Sequence, residues 1–270
     1  MSDPETVDFG HRRVAPDEKT RLVGGVFDRV AERYDVMNDL MSLGTHRLFK
    51  RMAVEMTGLR PGQRVLDLAG GTGDMAALLA PVVGPSGNVV LADINPQMME
   101  VGRQRLLDAG HAQVAFCQTA AESLPFADAQ FDCAVIAFGL RNFTDKHRAL
   151  GEIHRVLKPG GALLVLEFSK PEHPLLQSAY GAFQSLWPSM GRAVVGDAAS
   201  YEYLVESIAQ HPGQKALKVM LQDAGFDAVE YHNLLGGIAA IHRGCKRGVT
   251  RGVTRGERGG KQSLDTERTT

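Results

Sequence analysis

Residues 64–83, RVLDLAGGTGDMAALLAPVV, form an apolar run that breaks on three glycines within four positions and then resumes with helix-compatible spacing. Few features constrain a fold more. A strand that stops on Gly70, Gly71 and Gly73 and restarts as a helix lets the backbone turn tightly, with no Cβ between it and a ligand. The free amides of the helix start then face an anionic group. The loop has no lysine and no G-K-[ST] ending, which excludes a P-loop for nucleoside triphosphates.

Two acids flank this loop. Asp67 lies inside the strand, and Asp93 stands 26 residues later at the end of a second apolar run, VVLAD (89–93), placed to accept hydrogen bonds from a ribose diol. Gly71, Gly73 and Ala76 satisfy G-x-G-x-x-A, so a nicotinamide dinucleotide fits the spacing of this stretch. Asp67 favours another ligand, because an acid there suits the ammonium of an amino acid. Ammonium, carboxylate and nucleoside together describe S-adenosylmethionine, with Gly70, Gly71, Thr72 and Gly73 at its carboxylate end.

The rest of the chain repeats the strand-helix alternation. RVLDLA (64–69), VVLAD, QVAFC (113–117), FDCAVIAF (131–138) and ALLVLEF (162–168) read as strands, several apolar throughout, as buried parallel strands are. Helices are predicted over 74–83, 96–108 and 145–157, the last with Thr144 as its N-cap and Pro159-Gly160-Gly161 as its stop. Helical stretches at 20–39 and 46–57 precede the first strand. Further ones at 174–195, 200–210 and 212–224 precede a hairpin over 227–244 that turns at Gly236-Gly237. The pattern predicts an α/β fold, a doubly wound, mostly parallel sheet, with N-terminal helices and a helical insertion over a ligand crevice at the strands' carboxyl ends. Along that edge, Ala120 and Ala121 follow the third strand as an adenine wall. Arg141 and Asn142 follow the fourth, beside the reacting group.

The ends differ from the middle. Residues 1–20 are polar and aperiodic, and 246–270 carry a tandem RGVT, so both are expected to be flexible around one domain at 21–245. The tail holds seven Lys/Arg and three Asp/Glu, a local +4. The whole chain's 30 basic and 31 acidic residues therefore leave the body at 23 against 28, or −5. No nucleic acid partner is expected of such a body. Three scattered cysteines, Cys117, Cys133 and Cys245, exclude a disulfide framework. With no secretory leader and no apolar run of membrane-spanning length, a cytoplasmic location is expected. No His/Cys/carboxylate cluster has metal-ligand spacing, so a metal-independent reaction is expected.

Two longer segments go further. YDVMNDLMSLGTHR (34–47) and RVLKPGGALLVLEFS (155–169), together with DLAGGTGD, FGLRN, SYEYLVESIAQHP and DAGFDAVEYHN, resemble the ubiquinone/menaquinone biosynthesis C-methyltransferase family over about 26–244. The resemblance implies a Rossmann-like class I methyltransferase sheet of seven strands. It also implies methylation of a ring carbon on a polyprenylated quinol, with S-adenosylmethionine as donor. Donor contacts then fall on Thr72, Asp93, Ala120, Ala121 and Ala137. Many members carry Asn at the position of Ala120, Ser at that of Ala137 and Trp at that of Phe49. Arg141 is expected to stabilise the phenolate, and a water oriented by Arg141 and Asn142 to take its proton. Tyr34, His46 and Tyr201 are the candidate quinol contacts, with aromatic core the commoner fate of the tyrosines. The quinol's tail is compatible with peripheral contact at the inner membrane, and a homodimer or a quinone-biosynthesis complex with such an enzyme. A non-catalytic scaffold of that complex is the alternative outside enzymology.

Overall fold

A computed structural model describes residues 6–30, 38–39, 41–194, 196 and 198–248. An antiparallel ribbon, β1 (Val7–Phe9) and β2 (Arg12–Val14), leads into α1 (Pro16–Val30) and, later, α2 (Thr45–Met56). The alternating body follows as β3 (Arg64–Leu68), α3 (Asp74–Val83), β4 (Asn88–Asp93), α4 (Pro96–Asp108), β5 (Ala115–Gln118), β6 (Phe131–Ala137), α5 (Lys146–Val156) and β7 (Leu157–Phe168). The insertion comprises α6 (Pro174–Gln184), α7 (Trp187–Val194) and α8 (Ala199–Gln210). The chain then closes through α9 (Gln214–Asp223), β8 (Phe226–Leu234) and β9 (Ala239–Lys246).

Seven strands form one sheet in the order β5-β4-β3-β6-β7-β9-β8, with β9 antiparallel to both of its neighbours and the other pairings parallel. The order reverses between β3 and β6, and a doubly wound sheet opens its crevice at such a reversal. Both faces are covered. Val65, Leu91, Val135 and Leu164 pack under α2 and α3, while Leu66, Ala134, Ile136 and Leu163 pack under α5 and α9. Adjacent strand residues thus enter opposite cores, which is why these runs read as apolar without alternation.

Three local expectations are corrected. Residues 6–20, expected to be a flexible lead-in, instead form the ribbon and the first turn of α1, because Phe9 stacks on Tyr203 at 4.6 Å and gives the segment an apolar anchor. The N-cap of α5 is Asp145, not Thr144: its side chain accepts the Arg148 N–H at 2.9 Å, while the Thr144 N–H is held by Glu122 Oε1. Finally, Pro159-Gly160-Gly161 lies within β7. The helix already ends at Val156, and β7 pairs with β6 across a bulge at Phe131/Cys133. A Cβ on Gly161 would stand 2.9 Å from Lys158 O and 3.0 Å from Asp132 O, so the bulge needs glycine there. The tail from 249 onward lies outside the described residues.

Candidate active site

A cavity of about 710 Å³ opens at the carboxyl ends of β3, β4 and β6. Its floor includes Leu68, Ala69 and Gly71, its sides Asp93, Ala120, Ala121 and Asn142, and its cover Thr20, Val23 and Phe27 of α1. Ala69 (φ 57°) and Phe138 (φ 58°) both leave their strands in the left-handed region, which is costly for residues with a Cβ. The strain sits at the two strand ends that frame the crevice.

The glycine loop is held from behind as well as shaped from within. Gly71 N–H donates to Asp93 Oδ2 at 2.9 Å, Gly73 N–H donates to Gly70 O at 2.9 Å, and Gly73 (φ 84°) caps α3. A Cβ on Gly102 of α4 would stand 2.9 Å from Gly71 O and 3.1 Å from Thr72 C, so α4 rests directly on the loop backbone. Thr72 itself is buried. Asp93 also accepts the Asn95 N–H at 2.8 Å; burial nevertheless raises its pKa above the usual carboxylate range. Asn95, which the motif reading missed, caps α4 through Met98 N–H and donates to Asp28 Oδ1 at 2.8 Å, tying α1 over the crevice.

Asp67 is not on the crevice wall. It is 1% exposed and lies under Gly70, where a Cβ would come within 2.9 Å of Asp67 Oδ2. Its carboxylate has one weak partner, the Ala76 backbone N–H. Burial pushes its pKa up to about 7, against the opposing pull of the Lys50 ammonium, which pairs with Asp74 at 2.7 Å. A carboxylate so sparsely bonded beneath an amide-lined loop is suited to a ligand carrying both signs of charge.

Arg141 and Asn142, expected to act together, face different spaces. Asn142 lines the crevice and its Oδ1 accepts from Tyr203 Oη at 3.0 Å. Arg141 is buried and ion-paired with Glu167 at 2.8 Å, and it donates to Phe138 O. It lines a second cavity, of about 230 Å³, with Lys19, Lys146, Tyr203 and His211. This polar chamber adjoins the crevice, since Val7, Thr144 and Lys146 line both. Ala137 ends β6 opposite Leu166.

The candidate quinol contacts fare differently. Tyr34 lies outside the described residues. Tyr201 is fully buried in the core, where a Cβ on Gly191 would collide with its ring, so aromatic core is its place. His46 is buried, with Nδ1 2.8 Å from Ser42 Oγ, and it is among neither cavity's lining residues. Phe49 is likewise core. No motif pointed to the ribbon, Lys19 or Lys146, and His211 stood in SYEYLVESIAQHP without a role.

Residues 13–246 match the profile of the ubiE/COQ5 methyltransferase family. The chain belongs to that family. Among its curated relatives, the protein of Pseudomonas paraeruginosa named ubiquinone/menaquinone biosynthesis C-methyltransferase is 55% identical over 255 residues, covering 91% of this chain and 100% of the relative. The protein of the same name from Pectobacterium carotovorum is 56% identical over 243 residues, covering 89% and 97%. The fold resembles that of a SAM-dependent methyltransferase from Thermotoga maritima, with a TM-score of 0.58 at 22% identity over 83% of this chain and 99% of that one. Membership in the methyltransferase family sets aside the dinucleotide reading of Gly71, Gly73 and Ala76. Among the described residues no helix is long and apolar enough to cross a membrane.

Proposed function

We propose that this methyltransferase moves a methyl group from S-adenosylmethionine to a ring carbon of a polyprenylated benzoquinol or naphthoquinol, in ubiquinone and menaquinone formation. The observation that carries the donor half is the hydrogen bond from Gly71 to Asp93 at the base of the large cavity, which joins the glycine loop to the acid in one rigid unit. In this reading Asp93 receives the ribose hydroxyls, and the amides around Gly70, Gly71, Thr72 and Gly73 meet the carboxylate. Asp67 supplies negative charge toward the ammonium from below the loop. Ala120 and Ala121 present backbone and methyl groups to the adenine, while Ala137, at the end of β6, lies outside the crevice lining. The acceptor half rests on the names of the relatives, and the polar chamber beside the crevice suits a hydroxylated ring.

The reaction is a displacement at a sulfonium methyl group, so the protein's tasks are alignment and loss of the phenolic proton. Alignment of carbon, methyl and sulfur removes encounter entropy worth about 7–11 kcal/mol in favourable cases. Asn142 stands at the crevice wall, and Arg141 holds the adjoining chamber wall through its pair with Glu167. The exposed Leu175, Leu186 and Leu235 support a peripheral membrane contact for the prenyl tail. Calorimetry with the donor, followed by methyl incorporation into a demethylated quinol, tests the reading. Donor binding and labelled product are expected; donor binding without product from either ring type would refute the acceptor assignment.

A further inference from the structure

The polar chamber contains an arrangement that the donor site does not use. Lys19 Nζ and Lys146 Nζ donate to the same carbonyl oxygen, Phe143 O, at 3.0 and 3.3 Å. Among the described residues neither amine has a carboxylate within 4 Å. Two ammonium groups on one carbonyl repel each other, and each is desolvated, so the pair favours holding a single charge. Burial and the Lys19 charge bring Lys146 down to about 8, and Lys19 is lowered as well.

The same chamber has buried polar atoms with nothing to bond. His211, at the end of α8, is 3% exposed and neither ring nitrogen has a partner; Arg141 Nε is also unpartnered. Buried orphans of this kind mark a place where a polar ligand group completes the bonding. The chamber meets the donor crevice at Thr144 and Lys146, so a ring hydroxyl lodged in it leaves the ring itself facing the crevice.

We propose that Lys146, buried beside Lys19 on the shared Phe143 carbonyl, is the base that takes the acceptor's phenolic proton, with His211 and Arg141 Nε as the groups that hold that hydroxyl in the chamber. This rests on the quinol reading above. The amine lone pair takes the O–H proton, leaving a phenolate beside a new ammonium. The ring carbon's electron pair forms the new C–C bond while the S–CH3 electron pair stays on sulfur. The methylated ring then gives its C–H proton to water as the ammonium returns its proton to the oxygen, so one proton is released per turnover. The charged and titratable groups facing Lys146 are Lys19 from α1, Asp8 from the ribbon, Glu122 from the loop after β5 and Glu167 from β7; His211 and Arg141 share its chamber.

Lys146→Met is expected to lower kcat by about 100-fold or more while the donor Kd stays unchanged, and added methylamine is expected to restore part of the rate to Lys146→Ala. Lys19→Met removes the like charge, so the limb of the kcat–pH profile near pH 8 should move to higher pH. His211→Gln should raise KM more than it lowers kcat. Wild-type kcat in Lys146→Met, or an unmoved limb in Lys19→Met, would overturn the proposal. Competitive acetylation of the donor-loaded wild-type chain, read by mass spectrometry, tests the pair without any acceptor. Lys146 should label with a midpoint near pH 8 that rises in Lys19→Met. Ordinary lysine midpoints for both amines overturn the pairing even if the quinol assignment itself has failed.

Discussion

The donor crevice and the polar chamber share a wall but are built in opposite ways. The crevice is a backbone structure: loop amides, left-handed strand exits after β3 and β6, and one acid at the end of β4. The chamber is a side-chain structure, assembled from the N-terminal ribbon, α1, the turn after β6 and α8. The first depends on close packing, which tolerates no added atom. The second depends on balance of charge, since Arg141, Lys19 and Lys146 crowd one space with Glu167 behind them. On the proposed reading, a site made of amides takes a donor common to many methyltransferases, and specificity for one acceptor falls where side chains can vary.

If the halves are independent in this way, breaking the chamber's charge balance should cost stability and spare donor binding. Glu167→Gln leaves the Arg141 guanidinium charged in a site where it is 3% exposed, an imbalance of about 3–5 kcal/mol. Urea unfolding should show that loss while calorimetry finds the donor Kd within about twofold of wild type; a parallel loss of affinity would show that the halves are one unit. Acid should act on the same side. Burial lowers His211 to about 4, so between the unfolded value near 6.5 and pH 4 the unfolded chain binds the extra proton and stability falls as pH falls. The ceiling is about 3 kcal/mol, present in full below pH 4. His211→Gln should flatten that slope in thermal melts from pH 7 to 4, leaving the smaller share of His46, His154 and His242, which are lowered in the same sense.

The contrast also explains what the sequence disclosed. The sheet was legible because Val65, Leu66 and their counterparts in the other strands are buried on both faces and leave unbroken apolar runs. Gly71 and Asp93 were legible because one loop and one strand end carry them. The chamber was legible only at Arg141, since Lys19, Lys146 and His211 join it from other segments and no local pattern marks a lysine whose partner is another lysine. The ribbon was hidden for a related reason. Val7, Phe9 and Val14 are too few to read as a core segment, and Phe9 finds its partner, Tyr203, almost 200 positions away. Asp145 rather than Thr144 caps α5 because its carboxylate reaches the Arg148 N–H, while Glu122, distant in sequence, holds the backbone N–H groups of both residues.

On the donor side the expected damage is steric. Gly102→Ala sets a methyl group 2.9 Å from Gly71 O, and backbone cannot swing aside as a side-chain tip can. Shifting α4 off the loop should cost about 1–3 kcal/mol of stability and weaken donor binding, with the chamber's amine titration unmoved. An altered Lys146 midpoint in this variant would show that the two cavities communicate.

Asp67→Asn should produce the smallest effect and one of opposite sign. Burial raises the Asp67 pKa to about 7, so across pH 4–7 the folded chain holds a proton that the unfolded chain has released, and stability falls as pH rises through that window. By pH 8 the ionised carboxylate, sparsely bonded under Gly70, costs up to about 4 kcal/mol. Asparagine removes the charge but leaves a sparsely bonded amide, itself a cost of about 1–3 kcal/mol. The donor-free variant should therefore be more stable than wild type by about 1–3 kcal/mol at pH 8 and less stable by about 1–3 kcal/mol near pH 4, where wild-type Asp67 is protonated and only the amide cost remains. Its donor affinity should fall, because the negative charge opposite the ammonium is gone. Thermal melts with and without donor separate the two effects. A variant destabilised at pH 8 would mean that Lys50 already neutralises Asp67, and that the buried charge beneath the loop is not held in reserve for a ligand.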